Sequence, residues 1–394
     1  MLVRRRWPAV RVRRPHRRPA AAYHRRMRVL VVSAPLIGHV FPLLPLALAL
    51  RDAGHEVLVA TGAEGMAAAR SGLPVRDVVP GFDFGRIARS VLLRHPLVGR
   101  AEVAGTAGAR GAALLFGQVN DELADGLVAL AESWRPDLVL YEPFAVAGAL
   151  AAARLDVPAV RHENSLFDGR ELVRVTTARL GGALRRHGLA GLPPPVAALA
   201  IAPPSVATQD GWPLRHVAWA GGGELPRWLA EPGPRPRVLV TRSTIAGPVG
   251  AGLMRAVLAA AGRVDAEFVL VRPGFRRARR LPANVRAVGW IPLAAALPAS
   301  AALVHHGGSG SAYGALVAGV PQLATTGPGD RRHNAGLIAA RGAGLAVPAR
   351  RITADLLTRL LTDPAVAGAA REVSGEIAAM PAPADLVSRL ETLR

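Results

Sequence analysis

The sequence predicts an α/β protein built from two Rossmann-like, doubly wound domains that face each other across a cleft, on three observations. Short Val- and Leu-rich runs alternate with helical patterns from Arg28 onward. That alternation breaks into Pro and Gly clusters between Leu189 and Pro236 and then starts again. The chain has 394 residues, more than one hydrophobic core usually serves. The expected division is an Arg-rich extension over 1–26, an N-terminal domain over 27–222 and a C-terminal domain over 223–394, with the last helix packing back on the N-terminal domain.

The elements follow in order. Arg28-Val29-Leu30-Val31-Val32 reads as a buried strand, Pro35 to Pro42 as a loop, and the following Leu-rich stretch as a helix ending at Gly54. A second strand runs to Thr61, a third covers Pro74 to Val79, and one long helix is predicted from about Ala101 to Ser133. Asp137 to Tyr141 and Val157 to Val160 are the next strands. Beyond the Pro/Gly region the predicted strands are Arg237 to Thr241, Glu267 to Val271, Val285 to Val288 and Ala302 to His305, each followed by a helix. Ligands of such sheets gather beyond the carboxyl ends of the strands, so functional residues are sought in the loops that follow them.

The formal charge of +21 suggests nucleic-acid binding until its location is considered. Ten arginines fall within positions 1–26, a stretch with no acidic residue and no apolar periodicity, which is expected to be disordered. Met27-Arg28-Val29-Leu30-Val31-Val32 reads as a chain start of its own, so the arm is expected to be an upstream extension. All 49 basic residues are Arg and none is Lys, which points to coding-sequence composition rather than to a polyanion partner. No nucleic acid is therefore expected as a partner. No apolar run is long enough for membrane insertion, and the absence of Cys excludes disulfides and thiolate metal sites, so a cytoplasmic protein is expected. A homodimer stays open.

The most informative stretch runs from Leu303-Val304-His305 through His306-Gly307-Gly308-Ser309-Gly310-Ser311 into a helical pattern. A helix N-terminus offers unpaired N–H groups and partial positive charge, and glycines let phosphate oxygens approach the backbone, so the arrangement suits a diphosphate. It has no Lys after its glycines, which separates it from the P-loop. His306, Ser309 and Ser311 add side-chain donors. Alone, the run also suits a flexible turn.

The continuation through Ala315-Leu316, Gly319-Val320-Pro321-Gln322, Asp330 and Asn334-Ala335 decides between the two. With Gly38-His39 and Pro42 near the start and Val288-Gly289-Trp290-Ile291-Pro292 upstream, the array resembles the nucleotide-sugar signature of the GT-B glycosyltransferases that include the macrolide and enediyne enzymes. The resemblance implies a nucleoside diphosphate sugar, with dTDP as the expected nucleotide, bound in the C-terminal domain, and a hydrophobic natural-product acceptor bound in the N-terminal one. It implies Trp290 as the aromatic stacked on the base, with Ile291 offering backbone groups. His306, Gly308, Ser309, Gly310 and Ser311 are implied around the diphosphate, and Asp330 on the sugar hydroxyls. Arg331 stands where the family commonly has Gln, which leaves the sugar open and leans toward a modified deoxysugar. Ser243 or Thr244 is expected beside the phosphates.

Transfer to a hydroxyl needs a base, and His39, just after the first strand, has the side chain suited to it near neutrality. The family's partner carboxylate matches Glu142 here, one methylene longer than the usual Asp. His162 and Glu163 form a fallback acid/base pair. Phe82, Phe84, Phe116 and Phe144, with His162, are candidate acceptor contacts. No metal or other cofactor is expected, because no Asp-x-Asp or His ligand spacing is evident. An epimerase or hydrolase on the same fold, and a catalytically inactive activator, are the alternative readings.

Overall fold

The computed structural model describes residues 26–219, 221–244, 249–274 and 281–393. The Arg-rich arm lies almost wholly outside the described residues.

The first half forms a seven-stranded parallel sheet from β1 (Arg28–Val32), β2 (Glu56–Thr61), β3 (Val75–Asp77), β4 (Leu138–Tyr141), β5 (Ala159–His162), β6 (Ala197–Ala200) and β7 (Trp212–Pro213), in the order β3-β2-β1-β4-β5-β6-β7. The second half forms a six-stranded parallel sheet from β8 (Arg237–Thr241), β9 (Glu267–Val271), β10 (Val285–Val288), β11 (Ala302–His305), β12 (Gln322–Thr325) and β13 (Gly344–Val347), in the order β10-β9-β8-β11-β12-β13. Strand order reverses between β1 and β4 in one sheet and between β8 and β11 in the other. Crevices open at such reversals, so the loops after these four strands are where a site is expected.

The strands are continuous apolar runs because helices cover both faces of each sheet. Successive side chains of β1 point to opposite faces. Leu30 and Val32 pack with Leu123 and Leu127 from the helix Gly108–Trp134, whereas Val29 and Val31 pack on the other face with Leu43, Leu44 and Leu50. That second cluster continues into the other half of the molecule through Tyr313, Leu316, Ile338 and Val373. After the helix Pro364–Ala379 the chain crosses back to the first half, where Leu386, Val387 and Leu390 join the same cluster. The Arg215 N–H donates to the Pro381 carbonyl at 2.8 Å, and the Arg389 guanidinium lies 3.7 Å above the Trp212 ring.

The single long helix expected from Ala101 is instead two, Pro96–Ala104 and Gly108–Trp134. Gly105 ends the first in a left-handed conformation, φ 68°. A Cβ there would collide with the Gly327 carbonyl oxygen of the second half, so the break also lets the two halves touch. His39, expected in a loop, sits in the one-turn helix Ile37–Val40. Among the described residues no helix is long and apolar enough to cross a membrane.

Candidate active site

A cavity of about 850 Å³ lies between the two halves, lined by residues that follow β1, β4 and β5 on one side and β8, β10 and β11 on the other. On the first side, His39 is mostly buried, with its side chain 17% exposed. The Phe144 ring meets it edge-on at 4.6 Å between centroids, and Phe116 lies at 5.5 Å. Its Nδ1 is 3.4 Å from Oε1 of Glu142, which follows β4, the strand beside β1. Strand adjacency thus brings together two residues more than a hundred positions apart.

Glu142 is fully buried and its carboxylate is well satisfied. Oε1 accepts from the Ala34 N–H at 2.9 Å, and Oε2 accepts from the Phe144 N–H and from Asn164 Nδ2, both at 2.8 Å. Three N–H donors fix the orientation of this buried carboxylate. Asn164 Nδ2 also lies 3.4 Å from His39 Nδ1. With Nδ1 turned toward this pair, Nε2 is the ring nitrogen left for the cavity.

On the opposite side, β11 ends at His305, whose Nε2–H donates to Gln322 Oε1 at 2.9 Å while Nδ1 accepts from the Gly307 N–H at 3.1 Å. These bonds define a neutral tautomer, and burial lowers the His305 pKa to about 4. Gly307 takes φ 86°, turning the chain into the helix Ser309–Ala318. That helix starts from Gly308 with no side-chain cap and no acidic residue in its first turn, so its leading N–H groups lack an internal partner. Gly308, Ser309, Gly310 and Ser311 all line the cavity. His306 lines it as well, and burial, with Arg331 and His305 nearby, holds its pKa well below 6.5.

Asp330 caps the cradle from the side. Its Oδ2 accepts from Ser309 Oγ at 2.8 Å, Asn334 Nδ2 at 2.9 Å and Ser165 Oγ at 3.1 Å. Ser165 follows β5, so this cluster joins the two halves. At the far end of the cavity Trp290 is 41% exposed, with the Arg272 guanidinium 5.3 Å over one face of its ring.

Comparison with known proteins bears directly on this arrangement. Residues 48–243 match the family model described as "Erythromycin biosynthesis protein CIII-like, N-terminal domain", and residues 255–393 match its C-terminal counterpart. The chain is 42% identical to the elloramycin glycosyltransferase ElmGT of Streptomyces olivaceus, over 93% of this chain and 97% of that protein. The chain belongs to this glycosyltransferase family. Its fold superposes on the glycosyltransferase SnogD from Streptomyces nogalater with a TM-score of 0.79 at 35% identity, covering 94% and 99% of the two chains. It matches the spinosyn rhamnosyltransferase SpnG complexed with thymidine diphosphate at a TM-score of 0.78 and 31% identity, over 93% and 100% of the chains.

In this nucleotide-sugar-dependent glycosyltransferase of the GT-B fold, most of the residues singled out in the sequence meet at one cavity. His39, Phe84, Phe116, Phe144, Ser243, Thr244, Trp290, Ile291, Asp330 and Arg331 line it together with the cradle. Glu142 stands behind His39 rather than on the wall. Two candidates fall elsewhere. Phe82 packs against the apolar cluster around Phe116 and does not line the cavity. His162 points into the interior, where its Nδ1 lies 2.6 Å from the Glu163 carbonyl and burial lowers its pKa to about 4, so the fallback pair is a structural one. Glu163 is held by Arg161 Nε at 2.8 Å.

Asn164, Ser165, Arg242 and Glu102 are among the site residues missed in the sequence. Asn164 and Ser165 directly follow β5, and the same strand-end rule that selected His39 and Glu142 would have found them. Arg242 follows β8 and was passed over for its neighbours. Glu102 had no signal, since it reaches the cavity only because the helix breaks at Gly105.

Proposed function

We propose that this glycosyltransferase inverts the anomeric carbon while moving a deoxysugar from thymidine diphosphate to a hydroxyl of an apolar polyketide-like acceptor, without a divalent metal. One observation carries the reading: an imidazole backed by a saturated carboxylate faces an uncapped helix N-terminus across a single cavity. The acceptor oxygen attacks the anomeric carbon as its proton passes to His39 Nε2. The bond from that carbon to the diphosphate oxygen breaks, and its electron pair leaves on the diphosphate. One displacement from the face opposite the leaving group gives inversion. Glu142 stabilises the imidazolium formed in that step.

The acceptor half of the cavity is walled by Phe84, Phe116, Phe144, Phe167, Leu115 and Leu172, which supports an apolar aglycone. A neighbour titled as SpnG complexed with spinosyn aglycone is consistent with that class. The face of the Trp290 indole opposite Arg272 suits stacking with a pyrimidine. The N-terminal N–H groups of the cradle helix offer the leaving diphosphate compensation of the kind a cation otherwise supplies.

Thermal-shift titration with thymidine and uridine diphosphates tests the donor. A ligand at a hundred times its Kd stabilises the folded chain by about 2.7 kcal/mol, and thymidine diphosphate is expected to give the larger shift. Nuclear magnetic resonance of the product is expected to show the anomer opposite to the donor's, with the rate unchanged by a chelator. A retained anomer, or a rate abolished by chelation and restored by a metal ion, overturns that part of the reading.

A further inference from the structure

Several nitrogen donors in the donor half of the cavity end without a partner among the described residues. Nδ1 of His306 and Nε of Arg242 are buried and unpaired. The Arg331 guanidinium forms no hydrogen bond or ion pair either. Both arginines line the cavity.

Each is given its place by a glycine. Arg242 lies against Gly274, where a Cβ would come within 2.8 Å of its Cζ. Arg331 runs beneath Gly307 and Gly327, where a Cβ would meet its own Cβ at 3.0 Å and its Cδ at 3.4 Å. The residue preceding each arginine contacts the first turn of the cradle helix. Thr241, which precedes Arg242, has its Oγ1 3.4 Å from Ser311 Oγ, and Asp330, which precedes Arg331, accepts from Ser309 Oγ.

Among the described residues no carboxylate hydrogen-bonds or ion-pairs with either guanidinium, and Asp330 acts on Arg331 through its charge alone. Asp330 Oδ2 already accepts three hydrogen bonds, and no ion pair joins it to Arg331. Glu102 is bonded by the Gly329 backbone, and burial holds its carboxyl above the usual range. Asp168 pairs with Arg170 Nε at 2.8 Å. Arg272, the third arginine of this half, covers Trp290. A guanidinium does not shed its proton, so a desolvated and unpaired one costs free energy until an anion reaches it. Desolvation is felt at Arg331, whose pKa it lowers.

We propose that Arg242 and Arg331 form a clamp on the outer phosphate of the donor, taking up the charge that develops as the sugar leaves. This rests on the donor-site reading above and gives the cradle two full cations beside its helix N-terminus. As the anomeric carbon–oxygen bond breaks, the electron pair stays on the phosphate oxygen that the guanidinium N–H groups bind. The departure from Gln at position 331 is then a gain of charge at the phosphate rather than a change in how the sugar is read.

The test is titration calorimetry of the full chain with thymidine diphosphate and thymidine monophosphate, for the unaltered protein and for Arg242→Gln, Arg331→Gln and Arg331→Lys. Each Gln variant is expected to weaken diphosphate binding by about tenfold or more, the range of a lost charge-assisted hydrogen bond, while monophosphate binding stays close to its starting value. Arg331→Lys is expected to recover part of the loss, since it restores charge without the fork geometry. Diphosphate affinity unchanged in both Gln variants, with only the KM for the sugar nucleotide raised, assigns the arginines to the sugar and overturns the clamp. Equal loss of both nucleotides with an unchanged melting temperature overturns it too, by placing the arginines at the inner phosphate or the base. Failure of the unaltered chain to bind either nucleotide removes the donor-site reading itself.

Discussion

The two crevices that face each other across the cavity are built on the same topology and finished in opposite ways. On the His39 side both oxygens of Glu142 are taken by N–H donors and His39 is pinned by two phenyl rings. On the opposite side His306 Nδ1 and Arg242 Nε have no partner among the described residues and the cradle helix carries no cap. On the proposed reading the difference follows from the ligands each side would meet. A neutral alcohol brings no charge of its own, so the base must be oriented beforehand. An anion brings many acceptors, and donors held in reserve for it gain partners only when it arrives.

Removing the prepared base breaks this contrast most sharply. His39→Ala is expected to lower kcat by about 10²–10⁴-fold while thymidine diphosphate still raises the melting temperature. Steady-state rates and thermal shift on one preparation check it, and full turnover moves the base to another group.

Glu142→Gln keeps the shape but removes the charge behind the imidazole and turns an acceptor into a donor facing backbone N–H groups. A kcat loss of about 10–100-fold is expected, together with displacement of the acidic limb of the rate profile, where the base is lost to protonation, to lower pH. A rate profile that keeps its midpoint separates Glu142 from His39.

Acid stability probes the buried rings. Burial depresses the pKa of His305 and His306, as it does that of His162 and His216, so the unfolded chain takes up protons below about pH 6.5 that the folded chain refuses. These rings therefore leave stability unchanged above that pH and lower it as pH drops from about 6.5 toward 4, by roughly 2 kcal/mol for each at pH 5, offset in part by Glu163, whose raised pKa favours the folded chain over the same range. Melting curves between pH 5 and 8 check this. Bound thymidine diphosphate is expected to lessen the decline, because an anion beside His306 favours its protonated form.

The smallest effect is expected at the seam. Ser165→Ala removes one of three donors to Asp330 and is expected to cost about 1 kcal/mol or less, with a modest rise in the donor KM. Equilibrium unfolding and donor titration resolve it.

Much of this was legible in the sequence because it depends on local pattern. Apolar runs such as Val29 to Val32 specify strands buried on both faces, and the glycine run after His306 specifies a strand-to-helix turn. His39 and Glu142 could be paired because the strand-end rule needs only the order of elements. What escaped depends on contacts between distant segments. Gly105 interrupts a helical pattern because the Gly327 carbonyl approaches it, and nothing within ten residues of Gly105 announces Gly327. Phe82 and Phe84 share a local setting, yet only one faces the cavity. Ser165 becomes a site residue only when Asp330 meets it from the other sheet.

The chain's last crossing also constrains how relatives of this enzyme can be recombined. Residues 381–393 follow the second sheet in the chain but pack against the first half, in the apolar cluster that the two halves share. A hybrid cut once near the middle of the chain inherits a tail fitted to the wrong partner. Exchanging specificities calls for two junctions, so that Leu386, Val387 and Leu390 travel with the surface they were shaped to fill.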